Sequence, residues 1–304
     1  MSMPVAIRSR SAKTSNDLTP DQSGSLWASA GKQLLGSRSG RIGVGIVLVM
    51  VILAIFAPLI APHSPVEPHP RDQFAAPSWT HPFGTDEVGR DLFSRVVFGS
   101  RISLIAGGAA VLFGAILGVI LGMVAGFKGG WVETILTRFF DLLLAFPAVL
   151  LAIAAIAVLG RSTQSAVIAI GIINIPSFAR VARAAVLSEV EKEYVEAVRS
   201  FGASNFHVLF RTLLPNVLPS IMVLASVAMA TAIMLEASLS FLGLGTQPPS
   251  PSWGNMVSAG RTYLSNAAWY GIFPGMFIML LVLGLNQLGD GLRDALDPRS
   301  HDRK

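Results

Sequence analysis

Long apolar runs separated by short polar stretches dominate the chain. A bilayer core of ~30 Å takes about 20 largely apolar residues as a helix. Six segments meet that need: Ile42–Ala61, Ile102–Phe127, Phe139–Leu159, Ser165–Val186, Leu218–Leu242 and Trp269–Leu288. The fourth is interrupted by Asn174, Pro176 and Arg180. Loops cover 62–101, 128–138, 160–164, 187–217 and 243–268. The first run is too long for a signal peptide and is followed by Pro62 and Pro65 rather than a cleavage motif, so it reads as a retained anchor. The pattern predicts an all-α integral membrane protein of three parts: a flexible N-terminal tail (1–41), a six-helix membrane domain (42–290) and a C-terminal tail (291–304).

Composition agrees. Of 304 residues, 52% are hydrophobic and 13% charged, against roughly 25% charged in soluble chains. That excludes an ordinary soluble fold, and the apolar content excludes disorder. The absence of cysteine removes disulfide scaffolds, thiolate metal sites and cysteine nucleophiles. With the N-terminus placed in the cytoplasm, the inner segments hold 17 of the 23 Lys and Arg residues and the outer loops 6. This asymmetry predicts that both termini lie inside. The net charge of +5 is then explained by the anionic inner leaflet and implies lipid, not nucleic acid, as the partner.

Chemistry within the spans is sparse. Arg138 and Asp141, three apart, are expected to face each other at the inner start of the third span. Arg180, Arg183 and Glu236 read as interfacial charges, with a partner on another helix as the alternative for Glu236 because apolar neighbours surround it. The histidines (His63, His69, His81, His207 and His301) lie outside the spans without HExxH spacing, so no metal-ligand set is offered. There is no GxxxxGK[ST] phosphate loop, no catalytic constellation and no mid-membrane acid or histidine relay. If the chain moves a solute uphill, the energy enters elsewhere. A stand-alone secondary carrier would need coupling residues or an inverted repeat, and a membrane enzyme a nucleophile or metal set; neither stands out. Gly107, Gly108, Gly114, Gly118 and Gly122 suit close helix packing. Asn174, Pro176 and Ser177 fit either a polar path or a kink.

Loop 187–217 is the most informative stretch. In EYVEAVRSF (193–201), Tyr194, Val195, Ala197, Val198 and Phe201 share one helical face, with Glu193, Glu196, Arg199 and Ser200 on the other. Gly202 suits the left-handed position that ends a helix. Ser204 is placed to cap a second helix, 205–214, with Phe206, Leu209, Phe210 and Leu213 on one face and Pro215 as its stop. Periodicity fits both an interfacial hairpin on lipid and a helix presented to a groove on a cytoplasmic partner.

Glu196-Ala197-Val198-x3-Gly202, followed by Leu214-Pro215, resembles the "EAA" loop of ABC importer permeases, with Val198 for the second Ala and Thr212 for Ile. HPFGTDEVGRDLFSRVVFGSRISL (81–104), with Gly84, Asp86, Gly89, Arg90 and Asp91, resembles a block of the C-type permease subunit of dipeptide/oligopeptide importers. So do LEASLSFLGLGTQPPSPSWG (235–254) and GLRDALDPR (291–299). The resemblance runs from about residue 40 to 299. It implies a type-1 ABC importer permease fold and one half of a translocation path in the bacterial inner membrane. The implied partners are a homologous second permease, two cytoplasmic ATPase subunits that carry ATP and Mg, and an extracytoplasmic solute-binding protein. The chain itself would bind no cofactor. The implied cargo is a di- or oligopeptide, with glutathione, nickel complexes or another small peptide-like solute as the alternative. In the implied roles Glu196 contacts the ATPase, Gly202 permits the turn and Pro215 sets the angle into the fifth span. The charges of 81–101 fit a solvated loop or a structural plug near the binding-protein interface. Loop 247–254 reads as a rigid outer turn with Trp253 as an interfacial anchor.

Overall fold

Apolar length sets the main elements. In the computed structural model, which describes residues 31–296, the first span is α1 (Arg38–Ile55), capped by Ser37 Oγ accepting from the Gly40 amide. A short turn, Ala57–Ile60, follows it. Next come α2 (Leu92–Lys128), α3 (Gly130–Leu144), α4 (Ala148–Leu159) and α5 (Thr163–Glu189). The chain then forms α6 (Glu193–Ser200), α7 (Leu214–Phe241), α8 (Trp253–Thr262) and α9 (Trp269–Leu296). Among the described residues the one extended pairing is an isolated bridge between Thr85 and Asp91. Residues 1–30 of the expected tail and 297–304 of the C-terminal segment lie outside the described residues. Residues 31–36 are helical and α1 starts at Arg38, so regular structure reaches into the stretch expected as tail.

Five helices are long and apolar enough to cross a membrane, counting 205–241 as one. The expected third span is different. It breaks at Ala145–Pro147 into α3 and α4, which meet at 93°. Pro147 has no amide to continue the helical ladder and pushes Phe146 out of helical geometry. At 1.5 Å per residue the 15-residue and 12-residue halves span ~22 and ~18 Å, each short of the bilayer core. Pro176, by contrast, sits within a continuous α5.

Two large apolar clusters meet along α7, and a smaller one joins Phe140 of α3 to Ile175 and Ala179 of α5. In the larger, α2 and α5 run parallel with their backbones in contact. A Cβ at Gly114 would lie 2.7 Å from the Gly171 carbonyl, at Gly118 2.6 Å from that of Ile175, and at Gly126 2.9 Å from that of Arg183. Gly122 would strike the Ala179 carbonyl. Four glycines at i, i+4, i+8 and i+12 thus form the seam. In the second cluster α9 packs on α1, α7 and α8, with Gly43 against the Leu288 backbone and Gly284 against Ile46. Because α2 runs from the 81–91 block to the elbow, the two motif-bearing regions lie at opposite ends of the molecule.

Candidate functional site

The elbow is built from its turn outward. At the end of α6 the Gly202 amide donates to Arg199 O (2.9 Å) and the Ala203 amide to Val198 O (3.3 Å), with Gly202 at φ +80°. This is the Schellman pattern, which requires a left-handed residue after the helix. Ala203 and Val198 pack against the larger cluster together with the buried Val195. Ser204 Oγ accepts from the His207 amide and opens the next helical turn. Tyr194 OH donates to Glu189 Oε2 (2.7 Å) and accepts from Asn216 Nδ2 (3.2 Å), and Lys192 Nζ reaches Glu189 Oε1 at 2.6 Å. One phenol therefore ties the end of α5, the elbow helix and the start of α7. Partial burial, then the bond to Glu189, pushes its pKa up to about 12. Arg199 adds a link to α2, its guanidinium 5.0 Å from the centre of the Phe127 ring.

One expectation for this loop changes. No separate helix ends at Pro215: 205–207 is α-helical, 208–213 is a π-turn, and the chain runs without a break into α7. Pro215 lies where the π-turn passes into α7, and Thr212 O is taken by Asn216 Nδ2. The apolar face is partly packed on the bundle and partly presented outward. Glu196 and Ala197 are exposed, Leu214 is half-buried, and Phe201 and Phe206 are 93% and 71% exposed. The elbow presents a mixed apolar and charged surface beyond the helix bundle. Tyr194, assigned by its spacing to that apolar face, serves as a brace. Its hydroxyl cannot be placed from periodicity.

The opposite block is not a solvated loop. Asp86 and Asp91 are buried and Arg95 is 4% exposed. Asp86 Oδ1 accepts the amides of Val88 (3.0 Å) and Arg90 (2.9 Å), and its Oδ2 accepts from Arg90 Nε at 2.6 Å. Arg95 Nε lies 3.5 Å from the same oxygen, and its Nη1 donates to Pro65 O at 2.6 Å. Asp91 caps α2 through Ser94 N (2.8 Å) and Ser94 Oγ (2.6 Å). Thr85 Oγ1 donates to Asp72 O and accepts from the Ala75 amide. Gly84 and Gly89 both have positive φ and are buried, and a Cβ on Gly89 would strike the His69 carbonyl. The five motif residues converge on one brace over the ends of α2 and α9. Trp253 is fully buried, not an interfacial anchor; its Nε1 donates to Val96 O at 2.8 Å, fixing α8 to α2.

Within the spans Asp141 pairs with Arg180 on α5 (2.7 Å) rather than with Arg138. Arg183 pairs with Glu133 across the same two helices. Glu236 accepts from Ser240 Oγ one turn along its own helix (2.8 Å), with Ser103 of α2 as the facing hydroxyl. Beside the α3–α4 break lies a groove of about 440 Å³ whose wall includes Leu144, Asn174, Ser177, Thr231 and Ser238. The hydroxyls of Thr231 and Ser238 and the Asn174 amide are spent on their own helices' carbonyls, leaving a weakly polar wall.

The described residues form a multi-span helical body with a Gly-ended elbow at one end and a buried, braced block at the other. Residues 118–302 match the family described as binding-protein-dependent transport system inner membrane component, and residues 25–77 match the N-terminal TM domain of oligopeptide transport permease C. The chain belongs to this family of ABC importer permeases. It is 46% identical over 275 residues to the dipeptide transport system permease protein DppC of Alkalihalophilus pseudofirmus, covering 90% of each chain. It is 43% identical over 281 residues to the glutathione transport system permease protein GsiD of Escherichia coli, covering 92% of this chain and 93% of the relative. The inward-facing MetNI methionine ABC transporter shares the fold, at a TM-score of 0.55 and 19% identity over 67% of this chain and 97% of its own.

Proposed function

We propose that the chain passes di- or oligopeptides across the membrane as one permease half. In this reading a second, homologous permease supplies the other half, two ATPase subunits dock at the elbow, and a solute-binding protein delivers cargo at the 81–91 face. The observation that carries the coupling role is the exposed surface of Glu196, Ala197, Phe201 and Phe206 on a turn held rigidly by Gly202 and Tyr194. A short, braced amphipathic helix suits a groove on a partner. Closure of the ATPases would then tilt α5 and α7 directly, since both are tied to α6. ATP and Mg belong to those partners, and the chain performs no reaction of its own. The membrane domain (42–290) with its elbow (187–217) is the working unit, and both termini share the elbow's cytoplasmic side. The weakly polar groove beside Asn174 and Ser177 is its contribution to the path.

Peptide cargo is supported by 46% identity to a dipeptide permease. Glutathione is a second reading, supported by 43% identity to a glutathione permease. Uptake of labelled dipeptide, a longer peptide and glutathione by bacteria lacking the gene, with and without its restoration, decides between them. Restored dipeptide uptake that stops on ATP depletion is the expected result. Restoration of glutathione alone would move the assignment, and restoration of none of the three would remove the peptide reading.

A further inference from the structure

We propose that His63, His81 and Asp91 bind a first-row divalent transition cation, with zinc the best match, and that the bound ion clips together three separate stretches of the chain. His63 follows the first span, His81 opens the buried block and Asp91 caps α2. Their donor atoms all lie within 4.8 Å of one another. His81 Nδ1 is 2.9 Å from Asp91 Oδ1, and His63 Nδ1 is 3.9 Å from Asp91 Oδ2. Ligands held at 2.0–2.1 Å on a tetrahedral ion stand about 3.3 Å apart. The two histidines reach different oxygens of Asp91 and the three donors are separated by up to 4.8 Å, so they would have to draw in around an entering ion, His63 most of all.

The donor set selects the metal. Two imidazoles and one carboxylate suit zinc with a water in the fourth position, whereas calcium and magnesium take oxygen donors. The surrounding bonds orient the ligands as a second layer does in zinc sites. Ser94 donates to Asp91 Oδ2 through both its amide and its hydroxyl, and Ser94 Oγ accepts the His63 amide at 3.2 Å. A further observation points to a missing partner: His63 Nδ1 is shut off from solvent yet makes no hydrogen bond. The His81–Asp91 contact alone leaves that nitrogen unexplained; a cation between the three side chains satisfies it. Asp91 is 1% exposed, His81 13% and His63 35%, so the site is reached from the His63 side. This inference does not rest on the transport reading, and neither fails with the other.

The test uses the full-length chain purified in detergent on an affinity tag that lacks histidine. After chelator treatment and dialysis, zinc chloride is added, and metal content and thermal unfolding are measured. One zinc retained per chain and a raised Tm are expected. His63→Gln and His81→Gln should each weaken retention at least tenfold, while His207→Gln, at the exposed elbow, should leave it unchanged. Cobalt substitution should give visible bands of a tetrahedral N/O site that vanish in His63→Gln. His63 Nδ1 carries no bond in the fold, so that variant is expected to unfold at the temperature of the metal-free parent. Wild-type protein that retains no zinc, or retention equal in His63→Gln and wild type, overturns the proposal.

Discussion

Gly202 and Gly89 have the same backbone angle, φ +80°, at opposite ends of the molecule. Around Gly202 there is open space; around Gly89 a Cβ would strike the His69 carbonyl. The acidic residues divide in the same way. Glu196 stands exposed on the elbow, while Asp86 is enclosed between two arginines and two backbone amides. Identical residue types serve presentation at one end and rigidity at the other. The difference lies in what surrounds them, which motif spacing does not record.

The sharpest way to break this contrast is Asp86→Ala. It leaves Arg95, and with it Arg90, without their shared carboxylate in a buried setting, and should cost about 3–5 kcal/mol. Glu196→Ala, at an exposed position, should change stability by no more than about 0.5 kcal/mol. Thermal unfolding in detergent and membrane-inserted abundance measure both; a similar loss for the two would erase the distinction between the ends. Next in size is Gly122→Val. Overpacking the α2–α5 seam should cost about 1–3 kcal/mol, seen as a lower Tm, with elbow accessibility to proteolysis unchanged.

The matched pair Gly89→Ala and Gly202→Ala sharpens the comparison further. Both place a side chain in left-handed geometry, at roughly 1–2 kcal/mol, but only Gly89→Ala adds a backbone collision. Gly202→Asn, better suited to that geometry, should recover most of the stability and of the permease-stimulated ATPase activity lost in Gly202→Ala. Equal Tm losses at 89 and 202 would contradict the open-space argument. The smallest effect concerns Tyr194. Its pKa stands at about 12 in the fold against an ordinary 10. The unfolded chain therefore ionises first, and this residue's contribution is complete below pH 10 and fades as pH rises toward 12. An ultraviolet tyrosinate titration, with Tyr194→Phe subtracted, should show one late-ionising group, and an ordinary midpoint would remove the brace.

How much of this was legible in the residues follows from which forces act locally. The spans were, because 18 or more apolar residues leave few alternatives in a bilayer. The turn at Gly202 was legible because a helix end leaves a local signature. The break at Phe146–Pro147 was hidden, since apolar residues continue on both sides and hydropathy carries no direction. Helix α8 was missed because its polar, glycine-containing sequence between Pro-rich and turn segments reads as loop. The buried block reads as either a solvated loop or a structural plug for a related reason: Asp86, Arg90 and Arg95 look solvated in sequence, and only the fold makes them each other's solvent. His63 and His81 carried no signal, being separated from each other and from Asp91 by stretches that the fold alone brings together.

The glycine seam has a mechanical consequence. Backbones in contact along four successive turns cannot slide past or rotate about one another without collision, so α2 and α5 must travel as a single stiff beam. The 37 residues of α2 make that beam ~55 Å long, well beyond the ~30 Å hydrocarbon layer. Under the proposed coupling, rotation of such a beam about a point near Lys128 would displace Leu92, where the buried block is attached, by more than the elbow end. The displacement at that end would then scale with helix length and pivot position.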